Sequence, residues 1–354
     1  MVRVFYFYPM KDFIIVGGGL AGISFAETAF LEGKTFTMIA DESQNSSLVA
    51  GGLYNPVILK RLNMPQDAVA HMAFIKPFYK AMENRIGINF DIEMPIYRKF
   101  ASVEEQNNWF AAADKPGLDQ FLSLNIIHKE YPCISSPFGF GEVLQTGYLD
   151  TSVLVSGYHS FLRNRDSLLE EQFNYDALVI HNDYVEYRGI KASHIVFAEG
   201  YGIKQNPYFK EFPLNGTKGE LLVIKAPALN LDVIIKSDVF VLPVGDAIYK
   251  VGATYEWEDK TSLPTEAARK ELSEKLEELI TCDYEIIGQL AGIRPTTKDR
   301  KPLVGTHSKY KNIHLLNGLG TRGVMLGPPM ARELYNAIVS GEVVRKEVNL
   351  NRFM

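Results

Sequence analysis

Apolar residues are arranged along the chain in two alternating kinds of pattern. Short apolar or alternating runs are typical of strands, whereas apolar positions spaced by three and four residues predict amphipathic helices. The helical spacing predicts helices over residues 20–32, 66–87, 104–113, 148–164, 264–281 and 329–340. The other pattern predicts strands over residues 13–16, 35–40, 193–198, 220–224, 233–235, 239–242, 248–254 and 313–316.

A glycine cluster follows the first strand and opens the first helix. Gly17, Gly19 and Gly22 have the G-x-G-x-x-G spacing. In that pattern the first glycine makes a tight turn, the second lets the backbone approach a pyrophosphate, and the third lets the helix pack close to the strand. The helix start would present N–H groups to the phosphates. With Asp41 after the second strand as the candidate ribose-binding acid, this context favours a dinucleotide site over an ordinary strand–turn–helix.

The order of the elements alternates between α/β and β-rich stretches. We expect an α/β fold, with a Rossmann-like nucleotide-binding domain assembled from three pieces and a β-rich substrate domain inserted twice. The nucleotide-binding pieces are residues 11–87, 141–213 and 288–354. The substrate-domain pieces are residues 88–140 and 214–287.

Composition narrows the class of protein. With 354 residues, 46% apolar and 22% charged, the chain is typical of a globular protein of about two domains. Its net charge of −5 does not indicate nucleic-acid binding, although a local basic patch stays compatible with it. No apolar run reaches the roughly 18–20 residues of a membrane span. Residues 1–10 are too short for a signal peptide, so we expect a cytoplasmic protein that starts at Met1 or Met10.

Cysteine and histidine usage predicts no metal site. The two cysteines, Cys133 and Cys282, lack the spacing of a metal or redox motif and suggest a reducing compartment without a disulfide framework. The seven histidines are scattered, with no H-x-x-x-H pattern. Each of them is expected to lie at the surface or, with its hydrogen bonds satisfied, in the core, and not to bind a metal.

Three further segments sharpen the functional prediction: residues 47–53 (SLVAGGL), residues 196–200 (VFAEG), and residues 292–305 together with the glycine-rich turn at 318–326. With the N-terminal motif, their order resembles the D-amino-acid oxidase/glycine oxidase/sarcosine oxidase family of FAD enzymes, from residue 12 to residue 340. The inserted domain matches least well. The resemblance implies a Rossmann-like FAD domain with an inserted antiparallel substrate domain.

Within that family, residues 40–42, 50–56 and 320–323 look closest to one branch. This branch is the FAD oxidase half of a bifunctional enzyme that modifies a wobble uridine in tRNA, trimming its carboxymethyl group towards methylaminomethyl-uridine. The methyltransferase half is absent from this sequence.

The resemblance also implies which residues contact FAD. They are Gly17, Gly19, Leu20, Ala21, Gly22, Asp41, Glu42, Ser47, Ala50, Gly51, Gly52, Leu53, Ala198, Glu199, Gly200, Gly292, Arg294, Gly320, Thr321, Arg322, Gly323, Val324 and Met325. The family acid usually stands where this chain has Ala40, so Asp41 and Glu42 both stay candidates for the ribose. Neither cysteine matches the one that tethers FAD in sarcosine oxidase, so we expect noncovalent FAD.

Four residues are implied as catalytic. Arg294 matches the arginine that binds the substrate carboxylate, the alternative being a structural salt bridge. Lys250 aligns with a sarcosine-oxidase lysine that promotes reaction with oxygen, the alternative being a solvated strand lysine. Tyr249 and Tyr255 are candidate active-site phenols. Phe240 stands where glycine oxidase has a tyrosine, which weakens glycine itself as the substrate.

We therefore expect an FAD-dependent amine or amino-acid oxidase or dehydrogenase. A secondary amino acid or N-substituted glycine would lose a hydride to flavin N5, and the imine would then be hydrolysed. Alternatives are an oxidase of carboxymethylaminomethyl-uridine in tRNA, which the negative net charge disfavours, and a catalytically silent FAD-binding module. A 2-hydroxy-acid dehydrogenase is disfavoured, because no histidine is placed to deprotonate a hydroxyl.

Overall fold

The computed structural model describes residues 10–65 and 67–353, which divide into two compact units. Within the described residues, the first unit comprises 10–48, 155–216 and 294–353, and the second comprises the rest. The helices are α1 (Leu20–Leu31), α2 (Ala68–Ile86), α3 (Val103–Ala113), α4 (Thr151–Arg163), α5 (Glu266–Glu277) and α6 (Gly323–Ser340). The strands are β1 (Lys11–Val16), β2 (Phe36–Ala40), β3 (Leu53–Tyr54), β4 (Asp91–Glu93), β5 (Ile96–Lys99), β6 (Leu122–Ile127), β7 (Phe140–Val143), β8 (Gly147–Leu149), β9 (Leu168–Glu170), β10 (Leu178–Ile180), β11 (Val185–Tyr187), β12 (Ile190–Phe197), β13 (Thr217–Lys225), β14 (Ile234–Lys236), β15 (Phe240–Gly245), β16 (Ile248–Gly252), β17 (Glu285–Arg294), β18 (Leu303–Thr306) and β19 (Ile313–Asn317).

The first unit is built on a mainly parallel sheet. β1 pairs in parallel with β2 on one side and β12 on the other. β9 extends the sheet in parallel beyond β2, and β19 pairs in parallel with β12. The central strands are mostly apolar, and β2 and β19 are buried along their whole length, as expected for strands that are covered on both faces. Because parallel strands end at the same edge, the turns after β1, β2, β12 and β19 lie at one edge of this sheet.

Helix α6 begins six residues earlier than the predicted start at residue 329. The predicted start lies at Pro329, a residue type that is common at the first position of a helix. The earlier turns are stabilised instead by packing on α1. A Cβ added at Gly327 would lie 2.6 Å from Ser24 Oγ, and one at Gly323 would lie 3.1 Å from Leu20 Cδ1. These glycines let the two helices approach closely, so tertiary packing outweighs the local cost of the prolines inside the helix.

The second unit is built on a mainly antiparallel eight-stranded sheet in the order β17-β13-β16-β15-β14-β5-β7-β6. A three-stranded sheet, β3-β8-β4, accompanies it. One face of the large sheet is covered by a hydrophobic cluster that includes Leu272 and Leu276 of α5. Alternate residues of β15 and β16 enter this cluster, and the residues between them point to the opposite face.

The predicted fold class, an α/β fold with a second, β-rich part, is confirmed by this architecture. The assignment of particular pieces to cofactor and to substrate stays a prediction. Of the helices within 10–65 and 67–353, none is both long enough and apolar enough to cross a membrane.

A histidine pair lies in the core of the first unit. His314 is 1% exposed, and its Nε2 lies 3.1 Å from His194 Nδ1. Its Nδ1 lies 2.9 Å from Thr306 Oγ1. Burial lowers the pKa of His314 well below 6.5, with His194 adding repulsion, and burial also lowers the pKa of His194. Both rings are therefore neutral in the folded protein near pH 7.

Acid is expected to destabilise the protein through this pair. Below about pH 6.5 the unfolded chain binds protons that folded His314 rejects, so stability falls as pH falls towards the lowered pKa, by up to about 1.4 kcal/mol per pH unit for each proton. Urea unfolding followed by circular dichroism between pH 8 and pH 5 measures this slope. The slope should be shallower in His314→Gln, which does not titrate, and unchanged in His128→Gln, which alters an exposed histidine. Equal slopes in all three proteins would contradict the assignment.

Candidate functional site

The turn between β1 and α1 requires glycine for reasons of both backbone conformation and packing. Gly17 has φ +108°, and a Cβ there would lie 2.4 Å from the carbonyl oxygen of Ala198. A Cβ at Gly22 would lie 1.8 Å from the carbonyl oxygen of Gly17. These two glycines therefore let α1 and the end of β12 approach the turn.

Gly19 has a different neighbour. A Cβ at Gly19 would lie 2.8 Å from Ser47 Oγ, which accepts a hydrogen bond of 3.1 Å from the N–H of Leu20. Ser47, predicted to line a cofactor, thus lies at the start of α1, where Leu20 and Ala21 form the first turn. The first turn carries no acidic side chain, and the helix dipole favours an anion at this end.

Sequence reasoning missed His159, which also contacts this turn. Its Nε2 lies 2.9 Å from the carbonyl oxygen of Gly18. Burial lowers the pKa of His159, so the neutral ring donates this hydrogen bond from Nε2. His159 lies on α4, 141 residues away in sequence, and no local pattern marks it.

The candidate ribose acids follow β2. Ala40 is buried at the end of that strand, beside Gly18. Asp41 and Glu42 come after the strand and are exposed. The Asp41 carboxylate accepts hydrogen bonds from the N–H and hydroxyl of Ser43, at 3.2 and 2.7 Å. The backbone therefore turns immediately after Ala40, and the choice between the two acids stays open.

Glu199, two residues after the end of β12, belongs to a polar cluster that was predicted only in part. Its carboxylate accepts hydrogen bonds from the Tyr175 hydroxyl and from Asn206 Nδ2, the latter at 2.7 Å. Burial raises the pKa of Glu199 to about 7, and the negative charge of Asp41 adds to the increase. Near neutral pH the carboxyl is thus partly protonated, which reduces the negative charge at this end of β12. Tyr175 and Asn206 were not predicted.

Arg294 lies beside the predicted flavin-edge turn. It is the last residue of β17 and is half-buried. Its carbonyl oxygen accepts a 2.8 Å hydrogen bond from Thr296, and the next carbonyl, that of Pro295, accepts one of 3.1 Å from Gly320. Segments that are 25 residues apart in sequence are thereby joined.

The same turn is tied to Gly200. The buried Asn317 side chain donates a 2.9 Å hydrogen bond to the Gly200 carbonyl oxygen and accepts one of 2.7 Å from the Gly318 N–H. Asn317 was not predicted, because its partners are distant in sequence. The first unit therefore brings together predicted residues from the turn after β12, the end of β17 and the turn after β19.

The glycine-rich turn between β19 and α6 also holds the remaining residues predicted to contact the flavin. Gly320, Thr321 and Arg322 form a short 3-10 helix, with Thr321 exposed and Arg322 half-buried. Val324 and Met325 are 4% exposed, so their side chains point inward. Any ligand contact from these two would come from the backbone at the start of α6.

In the second unit, the Ala50–Leu53 loop is held close to β8. A Cβ at Gly52 would lie 1.9 Å from the carbonyl oxygen of Leu149, and the N–H of Leu149 donates a 3.0 Å hydrogen bond to Gly52. The ring of Phe240 covers Gly51, where a Cβ would lie 2.9 Å from it. Gly292 lies within β17.

The structure does not bring Tyr249 and Lys250 together. As neighbours on β16 they point to opposite faces of the sheet. Tyr249 is 3% exposed and lies in the hydrophobic cluster, where its hydroxyl accepts a 3.4 Å hydrogen bond from the Leu231 N–H. Lys250 pairs with Leu242, on the face that carries Phe240. Tyr255, beyond the end of β16, is 61% exposed.

Within residues 10–65 and 67–353, no group of three or more histidine, cysteine, aspartate or glutamate side chains could hold a metal ion.

Comparison with known proteins places the chain among flavoenzymes. Residues 12–337 match the model of the family described as FAD dependent oxidoreductase (DAO). Glycine oxidase of Pseudomonas aeruginosa PAO1 is 21% identical over 94% of this chain and 95% of its own. Glycine oxidase of Bacillus subtilis strain 168 is 24% identical over 66% of each chain.

A third relative is a bifunctional protein. The tRNA 5-methylaminomethyl-2-thiouridine biosynthesis protein MnmC of Burkholderia mallei is 32% identical over 43% of this chain. The matched part is 24% of that protein, so the chain spans about a quarter of its length, against about two thirds of the Bacillus subtilis protein.

Solved structures share the fold. Glycine oxidase from Geobacillus kaustophilus superimposes with a TM-score of 0.78 at 16% identity, covering 95% of this chain and 96% of that one. Iminodiacetate oxidase from Chelativorans sp. BNC1 gives a TM-score of 0.75 at 17% identity, covering 97% and 98%.

Proposed function

Because the chain belongs to the FAD-dependent oxidoreductase family, we propose that it oxidises a small amine that carries a carboxylate, either a secondary amino acid or an N-substituted glycine. The observation that carries this proposal is the position of Arg294 at the end of β17. The backbone there is joined to the glycine turn before α6 through the hydrogen bond between Pro295 and Gly320.

The first unit has features that fit the FAD pyrophosphate. Gly19 leaves room where a side chain would meet Ser47, and the start of α1 offers backbone N–H groups and a positive dipole end. The raised pKa of Glu199 limits negative charge nearby. We assign the glycine turn, Ser47 and the turn after β12 to noncovalent binding of the pyrophosphate.

Arg294 is assigned to the substrate carboxylate. A guanidinium group pairs with a carboxylate through two parallel hydrogen bonds and stays charged at any working pH. Two bonds fix the orientation of the substrate as well as its position, which lowers the barrier by reducing the freedom of the reacting groups. Bound FAD would supply the redox chemistry by accepting a hydride from the α-carbon at flavin N5, and water would hydrolyse the imine product.

Lys250 is assigned to the reaction with oxygen, where a cation stabilises developing negative charge. The support is its place on the sheet face that carries Phe240, whose ring covers Gly51 of the predicted flavin loop. Tyr249 lacks this support, because it faces the hydrophobic cluster.

Anaerobic mixing of the FAD-loaded protein with a panel of N-methyl, N-carboxymethyl and D-amino acids tests the function. Loss of the visible flavin absorbance with at least one carboxylate-bearing secondary amine is expected. Matched amines that lack the carboxylate should react far more slowly. If no member of the panel bleaches the flavin, a catalytically silent FAD-binding module becomes the better description.

A second candidate substrate is carboxymethylaminomethyl-uridine in tRNA, whose modified group is itself an N-substituted glycine. The observation in its favour is a concentration of positive charge in an otherwise acidic chain. Residues 294–311 contain six lysines and arginines and one acid. That acid, Asp299, is paired with Arg352 at 2.8 Å.

Five exposed cations lie on two adjoining loops, which we call the basic loops: Lys204, Lys210, Lys298, Arg300 and Lys301. The N–H of Lys298 donates a 2.9 Å hydrogen bond to Pro213, so the loops are in contact. Clustered lysines and arginines provide the phosphate contacts that dominate RNA affinity.

Filter binding of tRNA at low salt distinguishes the two substrate classes. If tRNA is the substrate, the triple variant Lys298→Glu/Arg300→Glu/Lys301→Glu should bind at least tenfold more weakly and show a flatter dependence of log K on log salt. Arg269→Glu/Lys270→Glu/Lys275→Glu, which removes three cations from α5 and changes the net charge by the same amount, is the matched control. A wild-type protein that binds no tRNA would leave only the small-molecule proposal.

A further inference from the structure

The two cysteines of the chain lie side by side in the second unit, although roughly 150 residues separate them in sequence, a long loop for a cross-link to close. Cys133 lies between β6 and β7, and Cys282 lies between α5 and β17. The N–H of Thr281 donates a 2.9 Å hydrogen bond to the Cys133 carbonyl oxygen, which joins the two backbones next to the thiols. Both cysteine side chains also contact one hydrophobic cluster, Cys133 as a member of it and Cys282 packed against it.

The surroundings of the two thiols differ. Cys133 is 6% exposed, and its Sγ lies 3.2 Å from the carbonyl oxygen of Ala228. Cys282 is half-buried and packs against the hydrophobic cluster that covers one face of the eight-stranded sheet. It also borders an open cleft of about 540 Å³. Arg269, Asp283 and Tyr284 also line this cleft. A small polar oxidant can therefore reach Cys282 first, whereas the buried Cys133 is less accessible.

We propose that Cys133 and Cys282 are an oxidative modification site, at which hydrogen peroxide converts the two thiols into an intramolecular disulfide. The Cys282 thiol first loses its proton, and the thiolate attacks one peroxide oxygen as the O–O bond breaks; the hydroxide that leaves takes up that proton, giving a sulfenic acid and one water. Cys133 then attacks that sulfur, the S–S bond forms, and the S–O bond breaks with loss of a second water. In total two thiols lose two electrons, and one peroxide is reduced to two waters.

The rate of this reaction is set by how much Cys282 thiolate is present. Burial raises the pKa of Cys282 to about 11, and the neighbouring Cys133 adds to the increase. Since the thiolate is the reacting form, oxidation should be slow at pH 7 and about ten times faster for each unit of pH up to pH 9. The site would therefore respond to sustained rather than brief exposure to peroxide.

The experiment uses the purified FAD-loaded protein, treated with hydrogen peroxide at pH 7, 8 and 9. Thiols are then blocked in denaturant and the protein is mapped by non-reducing mass spectrometry. The expected result is a fall from two free thiols to none, a mass loss of about 2 Da, and a peptide pair linked through Cys133 and Cys282. Sulfinic or sulfonic acid on Cys282 with a free Cys133 would overturn the proposal, as would a disulfide between two chains.

Two single variants serve as controls. Cys133→Ser lacks the second thiol, so its Cys282 should oxidise past sulfenic acid. Cys282→Ser should keep one thiol that resists peroxide in the folded protein. Phenylarsine oxide, which binds two neighbouring thiols, gives a measurement without variants: one arsenic per wild-type chain should block both cysteines. Binding to neither, or to only one, would contradict the juxtaposition. None of these readouts depends on catalytic activity.

Discussion

Arg294→Ala is expected to lower kcat/KM for a carboxylate-bearing amine by roughly 100- to 1,000-fold. Removing one partner of a hydrogen-bonded charge pair costs about 3–4 kcal/mol when the other charge is left without a partner, which corresponds to that range. The loss should appear in the rate of anaerobic flavin bleaching as well as in substrate affinity, because a carboxylate held loosely no longer orients the α-carbon. Stopped-flow absorbance at saturating and subsaturating substrate separates the effect on the bleaching rate from the effect on substrate affinity.

Three comparisons make this prediction specific. Arg294→Lys keeps the charge but loses the two-pronged geometry, so it should retain an intermediate rate. Lys298→Ala, an exposed cation four residues further along, should behave as wild type. Amines without a carboxylate should react equally slowly with wild type and Arg294→Ala. If the Arg294→Ala enzyme binds FAD normally and oxidises carboxylate substrates at the wild-type rate, Arg294 has a structural role and the substrate proposal loses its main support.

The local parts of the fold were predictable because their causes are local. A strand that runs into Gly17 and a helix that follows it are set by apolar periodicity and by the conformations only glycine allows, and α1 ends within one residue of its predicted end. The parallel arrangement follows from the strand–helix–strand order, since such connections place the strands side by side.

Contacts between distant segments were not predictable from a single sequence. His159, Asn317 and Tyr175 each meet the candidate site through one side chain from a segment with no motif of its own. In the sequence, a lone polar residue that faces water cannot be distinguished from one that contacts a turn from a distant segment. The meeting of the two cysteines was hidden for the same reason.

The eight-stranded sheet of the second unit shows a further limit of prediction from a single sequence. Alternation predicts that Tyr249 and Lys250 point to opposite faces, but it does not say which face is covered by a helix. That depends on α5, whose leucines pack on the side of Tyr249. Both residues were therefore candidates in sequence, whereas only Lys250 shares a face with Phe240.

Gly22→Ala is expected to prevent stable folding, whereas Gly19→Ala should fold and lose cofactor affinity. At Gly22 the new methyl would lie 1.8 Å from the carbonyl oxygen of Gly17, a backbone atom that cannot move aside without shifting α1 from β1. We expect a loss of more than about 3 kcal/mol in the free energy of unfolding, at the upper end for overpacking. At Gly19 the nearest atom is Ser47 Oγ, 2.8 Å away, on a side chain that can rotate.

The two substitutions add the same methyl three residues apart, so they separate the fold from the binding of FAD. Urea unfolding followed by circular dichroism measures the stability of the fold. The amount of flavin that stays with the protein through gel filtration measures FAD binding. Gly288→Ala, where the new methyl would lie 3.6 Å from Val223, is the control for adding a methyl in ordinary contact and should leave both unchanged. A stable Gly19→Ala protein that keeps its FAD would mean that the pyrophosphate does not lie against this turn. A stable Gly22→Ala protein would mean that α1 can move away from β1, and the close approach of helix and strand would then not be what requires the third glycine.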